Sequence, residues 1–261
     1  MKLRRHHLLT ELTRFAVVAV LFVLWYLLTP QPIPELIFPS PLSVAQAAKS
    51  LGPDLIRHAG ITLGRVTLGW AIGVFLGILM GLILYANRAV RLLLHPLIEA
   101  VRPLPPVALI PFFIIWFGLS LVGQLTLIAL GCFMVLTINT FTAAGLVPSV
   151  YLRAATVLGA PRREIYRTIL LPAIVPSLIG GVRIAAALAF GLGVAAEFMG
   201  AQSGLGFLMM VARRTLNTNT ILLGMIIVGI ESYVFDALLR AVGRYLTRWS
   251  ESSLESAPVS I

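Results

Sequence analysis

Long apolar stretches separated by short polar or proline-rich breaks run through the chain. An apolar run over 15–28 follows a basic start, Met1-Lys-Leu-Arg-Arg-His-His, and predicts a first transmembrane helix. In outline this also fits a signal sequence, and 45–47 reads Ala-Gln-Ala. That tripeptide lies well past the apolar run and more spans follow, so an uncleaved helix is expected. Further spans are predicted over about 65–86, 104–118, 121–147, 173–196 and 221–242, giving about six. Residues 29–62 read as a connecting segment, in which Pro30, Pro32, Pro34, Pro39 and Pro41 forbid continuous helix and 41–51 reads as a short surface helix.

In the second span Gly69, Gly73, Gly77 and Gly81 recur at every fourth position, which marks a face for close helix packing and implies no chemistry. The third span carries Pro103, Pro105, Pro106 and Pro111 at its entrance and interior. Proline at membrane depth frees carbonyls that need other partners. A kinked helix lining a pathway, with Pro111 and Trp116 on it, and a purely structural bend both fit.

Segment 151–172 is too charged to span a bilayer and too apolar for a free loop. Two short helices are expected there. The first ends at Gly159, a natural C-terminal residue, and Pro161 opens the second. In the second, Ile165 and Ile169 share one face, as do Tyr166 and Leu170, with Arg162, Arg163, Glu164 and Arg167 on the polar side; Pro172 is expected to end it and start the next span. Such a segment either lies on lipid headgroups or docks its apolar anchors into a groove on a cytoplasmic partner.

Composition narrows the class. Hydrophobic residues make up 59% of the 261 residues and charged residues 11%, against about 25% charged in soluble domains. The chain is therefore an all-α membrane protein, with membrane lipid as its natural surroundings. Its net charge of +10 is carried almost wholly by arginine, since Lys2 and Lys49 are the only lysines. That pattern flanks membrane spans and excludes a lysine-rich nucleic-acid tail, so no nucleic-acid partner is expected. Cys132 is the only cysteine, and His6, His7, His58 and His95 are scattered, so no intrachain disulfide, metal site or cofactor is expected. A phosphate-binding G-x-x-x-x-G-K-[ST] loop is excluded: Lys49 follows Ala48, and Ser43 stands at the first glycine position. No nucleophile, base and orienting acid stand out, so the chain is not expected to be an enzyme.

Four charges fall in or near the last two spans. Arg183 either attracts an anion in transit or, the preferred reading, pairs with Glu231 or Asp236. Glu197, beside the glycine-rich stretch 200–206, lines an outer gate or contacts a delivering protein, or simply anchors the interface. Arg183, Glu197, Glu231, Pro111 and Trp116 are the pathway candidates. Glu99 and Arg102, three apart, are expected to form a solvated pair. With the N-terminus inside, 14 Lys and Arg residues fall on the inner side and five on the outer, which places both termini in the cytoplasm.

The spacing Ala154-Ala155, Gly159, Ile169-x-Leu171-Pro172 resembles the EAA loop of bacterial ABC importer permeases, E-A-A-x3-G-x9-I-x-L-P, with Arg153 where the family usually has Glu. The stretch Arg102-Pro-Leu-Pro-Pro-Val-Ala-Leu-Ile-Pro111, Trp116-Phe-Gly118, residues 62–69, Ala195-Ala-Glu-Phe-Met-Gly200 and Gly204-Leu-Gly206 are similar to the sulfonate, taurine, nitrate and bicarbonate branch. The resemblance implies a type I importer permease fold in a bacterial inner (plasma) membrane. It also implies a second permease subunit forming a homodimer, a pair of cytoplasmic ATP-binding subunits and an extracytoplasmic substrate-binding protein. The cargo it implies is a small anion, sulfonates such as taurine first. Ala154, Ala155, Gly159, Arg162, Arg163, Glu164, Ile165, Ile169, Leu171 and Pro172 would then form the surface that couples to the ATPase. The expected organisation is an N-terminal segment with first helix over 1–62, a permease core over 63–246 and a polar tail over 247–261. The rival class, an ion-coupled secondary transporter or channel, needs inverted repeats or an embedded ion-coupling set; no clear repeat is visible, and it leaves 151–172 unexplained.

Overall fold

A computed structural model describes residues 16, 19–20, 23–27, 39–198 and 200–248. Part of the first expected span, and the tail beyond residue 248, lie outside the described residues; 16, 19–20 and 23–27 are helical.

Helix α1, Pro41–Leu51, is the expected short helix. Ser40 caps it by accepting a hydrogen bond from the Ser43 N–H at 3.2 Å, and Pro41 fits the first turn, where no N–H is needed. A turn at Gly52 leads into α2, Pro53–Ala86, a single 34-residue helix. Residues 53–62, expected as part of the connecting segment, are thus its first turns, and the expected boundary after residue 62 falls inside it. At about 50 Å it exceeds a hydrocarbon core of about 30 Å, so it is longer than a span needs.

Asn87 ends α2 and caps α3, Arg88–Val101, its Oδ1 accepting from the N–H groups of Ala89 and Val90 at 2.9 and 3.2 Å. The third expected span departs from a kinked helix over 104–118. The chain turns through 89° between α3 and the segment Pro106–Phe117, which contains a 3-10 turn, Pro106–Leu109, and α4, Ile110–Phe117. Pro103, Pro105 and Pro106 supply no N–H, and each disfavours helical geometry in the residue before it. Pro105 is accordingly extended at φ −65°, ψ 125°. The eight residues of α4 cover only about 12 Å, so no single straight helix crosses here.

Helix α5, Leu121–Gly145, is the centre of the packing. The glycine face of α2 lies directly on it: a Cβ added at Gly73 would fall 2.6 Å from Cys132 Cβ, and one at Gly77 would fall 2.7 Å from Leu136 Cβ. Without side chains on that face the two backbones approach closely, and apolar contact replaces lipid. Val66, Ile128, Cys132, Leu136, Ala185 and Phe190 are among the residues that close the core.

After α6, Ser149–Val157, and α7, Arg162–Ile165, the chain passes through a π turn, Tyr166–Leu170, into α8, Leu171–Phe198. Residues Arg162–Phe198 form one continuous 37-residue run, so Pro172 does not end the second short helix as expected. The Leu171 N–H donates to Tyr166 O, five residues back. This wide turn sits directly before Pro172, whose missing N–H and bulky ring are incompatible with a tight α ladder; the helix widens instead of stopping. Helices α9, Leu205–Arg214, and α10, Thr218–Leu246, complete the fold. Among the described residues four helices are long and apolar enough to cross a membrane, or five with the bent pair counted as one.

Candidate functional site

The turn after α6 is built on backbone hydrogen bonds. The Leu158 N–H donates to Ala154 O at 3.1 Å, Gly159 to Thr156 O at 3.0 Å and Ala160 to Ala155 O at 3.0 Å. This is a glycine-terminated helix end with Gly159 at φ 80°. Pro161 then caps α7, its carbonyl accepting from Glu164 and Ile165 at 2.9 and 3.1 Å.

The two short helices therefore form a hook, and burial shows which side holds it. Leu170 is fully buried with Ala143, Ala144 and Ile174, and Tyr166 packs edge-on against Tyr85 at the end of α2, ring centres 6.4 Å apart. Ile165 is 7% exposed. The anchors Ile165 and Leu170 thus grip the chain's own core, which corrects the expectation that Ile165 belongs to an outward docking face. Ile169 is half-buried; Ala154, Arg162, Arg163, Glu164 and Leu171 are exposed, and Ala155 and Pro172 half-buried. The outward apolar surface belongs to residues that sequence reasoning missed: Val157 and Leu158, each 86% exposed at the tip. Their signal was present, as two apolar residues in the turn just before Gly159, where no buried face of either short helix claims them.

At the opposite end of α8, Glu197 does not face an opening. It is 2% exposed and lies inside a polar clasp. Arg65 Nη1 donates to Glu197 Oε1 at 3.1 Å, Thr62 Oγ1 sits 3.0 Å from both carboxylate oxygens, and the Gly206 N–H donates to Oε2 at 2.8 Å. Thr62 Oγ1 in turn accepts from the Leu205 N–H at 2.7 Å, and His58 Nδ1 from the Gly204 N–H at 2.9 Å. Arg65 also holds Ser203, donating to its carbonyl at 2.7 Å and its hydroxyl at 2.9 Å. Three N–H groups at the start of α9 are thereby satisfied. Gly204, at φ 114°, and Gly206 lie so close to Glu197 that a Cβ at either position would collide with its side chain.

Arg183 on α8 pairs with Asp236 on α10 through two contacts, Nε to Oδ1 at 2.7 Å and Nη2 to Oδ2 at 3.2 Å, and Arg240 joins at 3.3 Å. Asp236 is one of the two partners the sequence offered. Glu231 keeps a buried Oε2 without a hydrogen-bond partner among the described residues. Pro111 and Trp116 are both exposed on α4, Trp116 to 71%. The five pathway candidates are therefore not brought together. A cavity of about 480 Å³ lies elsewhere, between the α3–α4 bend and α5, and none of the five lines it.

Residues 73–251 match the family described as the binding-protein-dependent transport system inner membrane component. The chain belongs to this family. It is 33% identical over 239 residues to the taurine transport system permease protein TauC of Escherichia coli, covering 88% of this chain and 87% of TauC. It is 32% identical over 218 residues to SsuC of Bacillus subtilis, a protein named for aliphatic sulfonates transport, covering 83% and 79%. In fold it is similar to a chain of the MetNI methionine ABC transporter in inward-facing form, with TM-score 0.60 and 22% identity over 74% of this chain and 98% of that one. The protein is thus an ABC transporter permease, a multi-pass membrane subunit with the all-α importer fold. A permease of this family works with a substrate-binding protein and an ATP-binding subunit.

Proposed function

We propose that this permease imports a small sulfonate-bearing anion, taurine or an alkanesulfonate, delivered by an extracytoplasmic binding protein. Two copies of the chain form the pathway in an inner (plasma) membrane, both termini face the cytoplasm, and a separate pair of ATP-binding subunits docks on the hook 149–170. The similarity to TauC and SsuC supports this cargo. The exposed tip Val157-Leu158, held from behind by buried Ile165 and Leu170, is the observation that supports docking. An exposed apolar tip on a segment that also exposes Arg153, Arg162 and Arg163 fits an apolar cleft with acidic edges. A continuous helix joins this hook to α8, so movement of the docked ATPases is passed rigidly to the membrane helices.

The test is uptake into proteoliposomes holding the permease with its ATPase and binding protein. ATP-dependent accumulation of taurine or ethanesulfonate is expected. Uptake that ignores ATP and follows a proton or sodium gradient would overturn the reading.

A further inference from the structure

The cavity between the α3–α4 bend and α5 has a chemistry of its own. Leu130, Gly131 and Met134 line it near the midpoint of α5, and Ile138, Asn139 and Thr142 continue it toward the end of α5 that carries the hook. These positions run along one face of the helix, a rise of about 18 Å, so the slot extends from mid-membrane to the hook side. Its walls are mostly apolar. Its volume of about 480 Å³ lies in the range of small-molecule sites, about 300–1,000 Å³.

Three polar side chains converge on the hook-side half: Arg102, Asn139 and Thr142. Arg102 stands at the bend, where the run of prolines stops α3 and leaves its side chain beside the slot. Its partner Glu99 is 3.7 Å away with both side chains largely exposed, too long for a hydrogen bond, so the guanidinium fork remains open to a planar or tetrahedral oxyanion. The Asn139 amide is pressed onto Gly181, where a Cβ would fall 2.6 Å from Asn139 Cγ, and its Oδ1 is buried there without a hydrogen-bond partner among the described residues. Asn139 is at the same time one of the residues lining the slot.

We infer that this slot is a transit site for the organic anion, with the anionic headgroup on Arg102, Asn139 and Thr142 and the organic part among Leu130, Met134 and Ile138. The inference rests on the anion-import reading for its cargo, while the charge preference of the slot is a property of the permease alone. The slot lies at the bend that breaks the third span, with Arg102, Leu104, Pro106 and Leu109 from the bend on one side and α5 on the other.

Cysteine accessibility tests the slot separately from transport. Cys132 is the only native cysteine and is fully buried, so background labelling is slow. Ile138→Cys is introduced in the assembled permease–ATPase complex, and two methanethiosulfonate reagents of similar size are compared, one bearing a sulfonate and one a trimethylammonium. With each rate taken relative to the same reagent's rate with a small thiol in water, the sulfonate reagent should react about tenfold faster, a ratio that one open guanidinium sustains. Adding Arg102→Gln should bring the two rates together, and millimolar ethanesulfonate should slow labelling in the Arg102 protein only. Equal rates for the two reagents with Arg102 present, or a preference that survives Arg102→Gln, would overturn the inference. If Ile138→Cys does not assemble, Met134→Cys carries the same criterion. Should the slot prefer the anionic reagent while proteoliposomes import neither taurine nor ethanesulfonate, the site stands and the sulfonate cargo falls.

Discussion

Arg65 on α2 and Glu197 on α8 are 132 positions apart in sequence and 3.1 Å apart in space, with side chains 16% and 1% exposed. Removing one partner of such a pair leaves the other charge uncompensated, at a cost of about 3–5 kcal/mol. Glu197→Ala also strands the Gly206 N–H. The melting temperature of the detergent-solubilised protein should drop sharply and segment 200–206 should become protease-sensitive. A melting temperature equal to that of the native protein would show that the clasp does not hold α9.

Gly159 offers a different kind of test, because a Cβ there meets nothing within 4 Å. The effect of Gly159→Val is therefore purely one of backbone conformation, about 1–2 kcal/mol for a left-handed residue. The hook should reorient while the membrane core stays intact. Co-purification with the ATPase should fall severalfold with membrane insertion and melting unchanged; undiminished recovery of the ATPase would count against the hook as the docking element.

The two faces of the hook should separate in mutagenesis. Leu158→Asp changes an exposed tip residue and should abolish ATPase association at constant thermal stability. Leu170→Ala opens a cavity in a fully buried site, costing about 2–5 kcal/mol, and should lower the melting temperature. The opposite pattern, with a destabilised Leu158→Asp and a fully stable Leu170→Ala, would reverse the assignment of inner and outer faces.

Glycines on opposite faces of α2 should respond with opposite signs. Gly77→Ala places a methyl 2.7 Å from Leu136 Cβ and forces α2 and α5 apart, costing about 1–3 kcal/mol. Gly64→Ala meets open space and should be neutral or slightly stabilising, since alanine favours helix. Thermal melts of the two variants in one detergent decide this; equal shifts would mean that the glycine face is not the contact.

Much of this protein was determined locally and could be read from the chain. Apolar length set the long helices, because a bilayer accepts only segments whose backbone bonds are satisfied internally. The four-residue glycine period set the face of α2 that meets α5. Gly159 and Pro161 set the turn of the hook, since one needs a left-handed residue and the other opens a helix. What tertiary structure decided were questions of direction and partnership. Ile165 and Val157 are both apolar residues of the hook, and only the packing of Leu170 and Tyr166 against the core turns one inward and leaves the other outside. Glu197 has the residue type of a pathway carboxylate, and only the approach of Thr62 and Arg65 from a distant helix, with Gly206 folding back from the following turn, makes it a clasp. Pro172 and the prolines 103–106 are alike in sequence; one is accommodated by a wide turn within a helix that continues, and the others break the third span at an 89° bend. The slot beside Arg102 lies at that bend; a cavity is a relation between elements and no single stretch of sequence contains it.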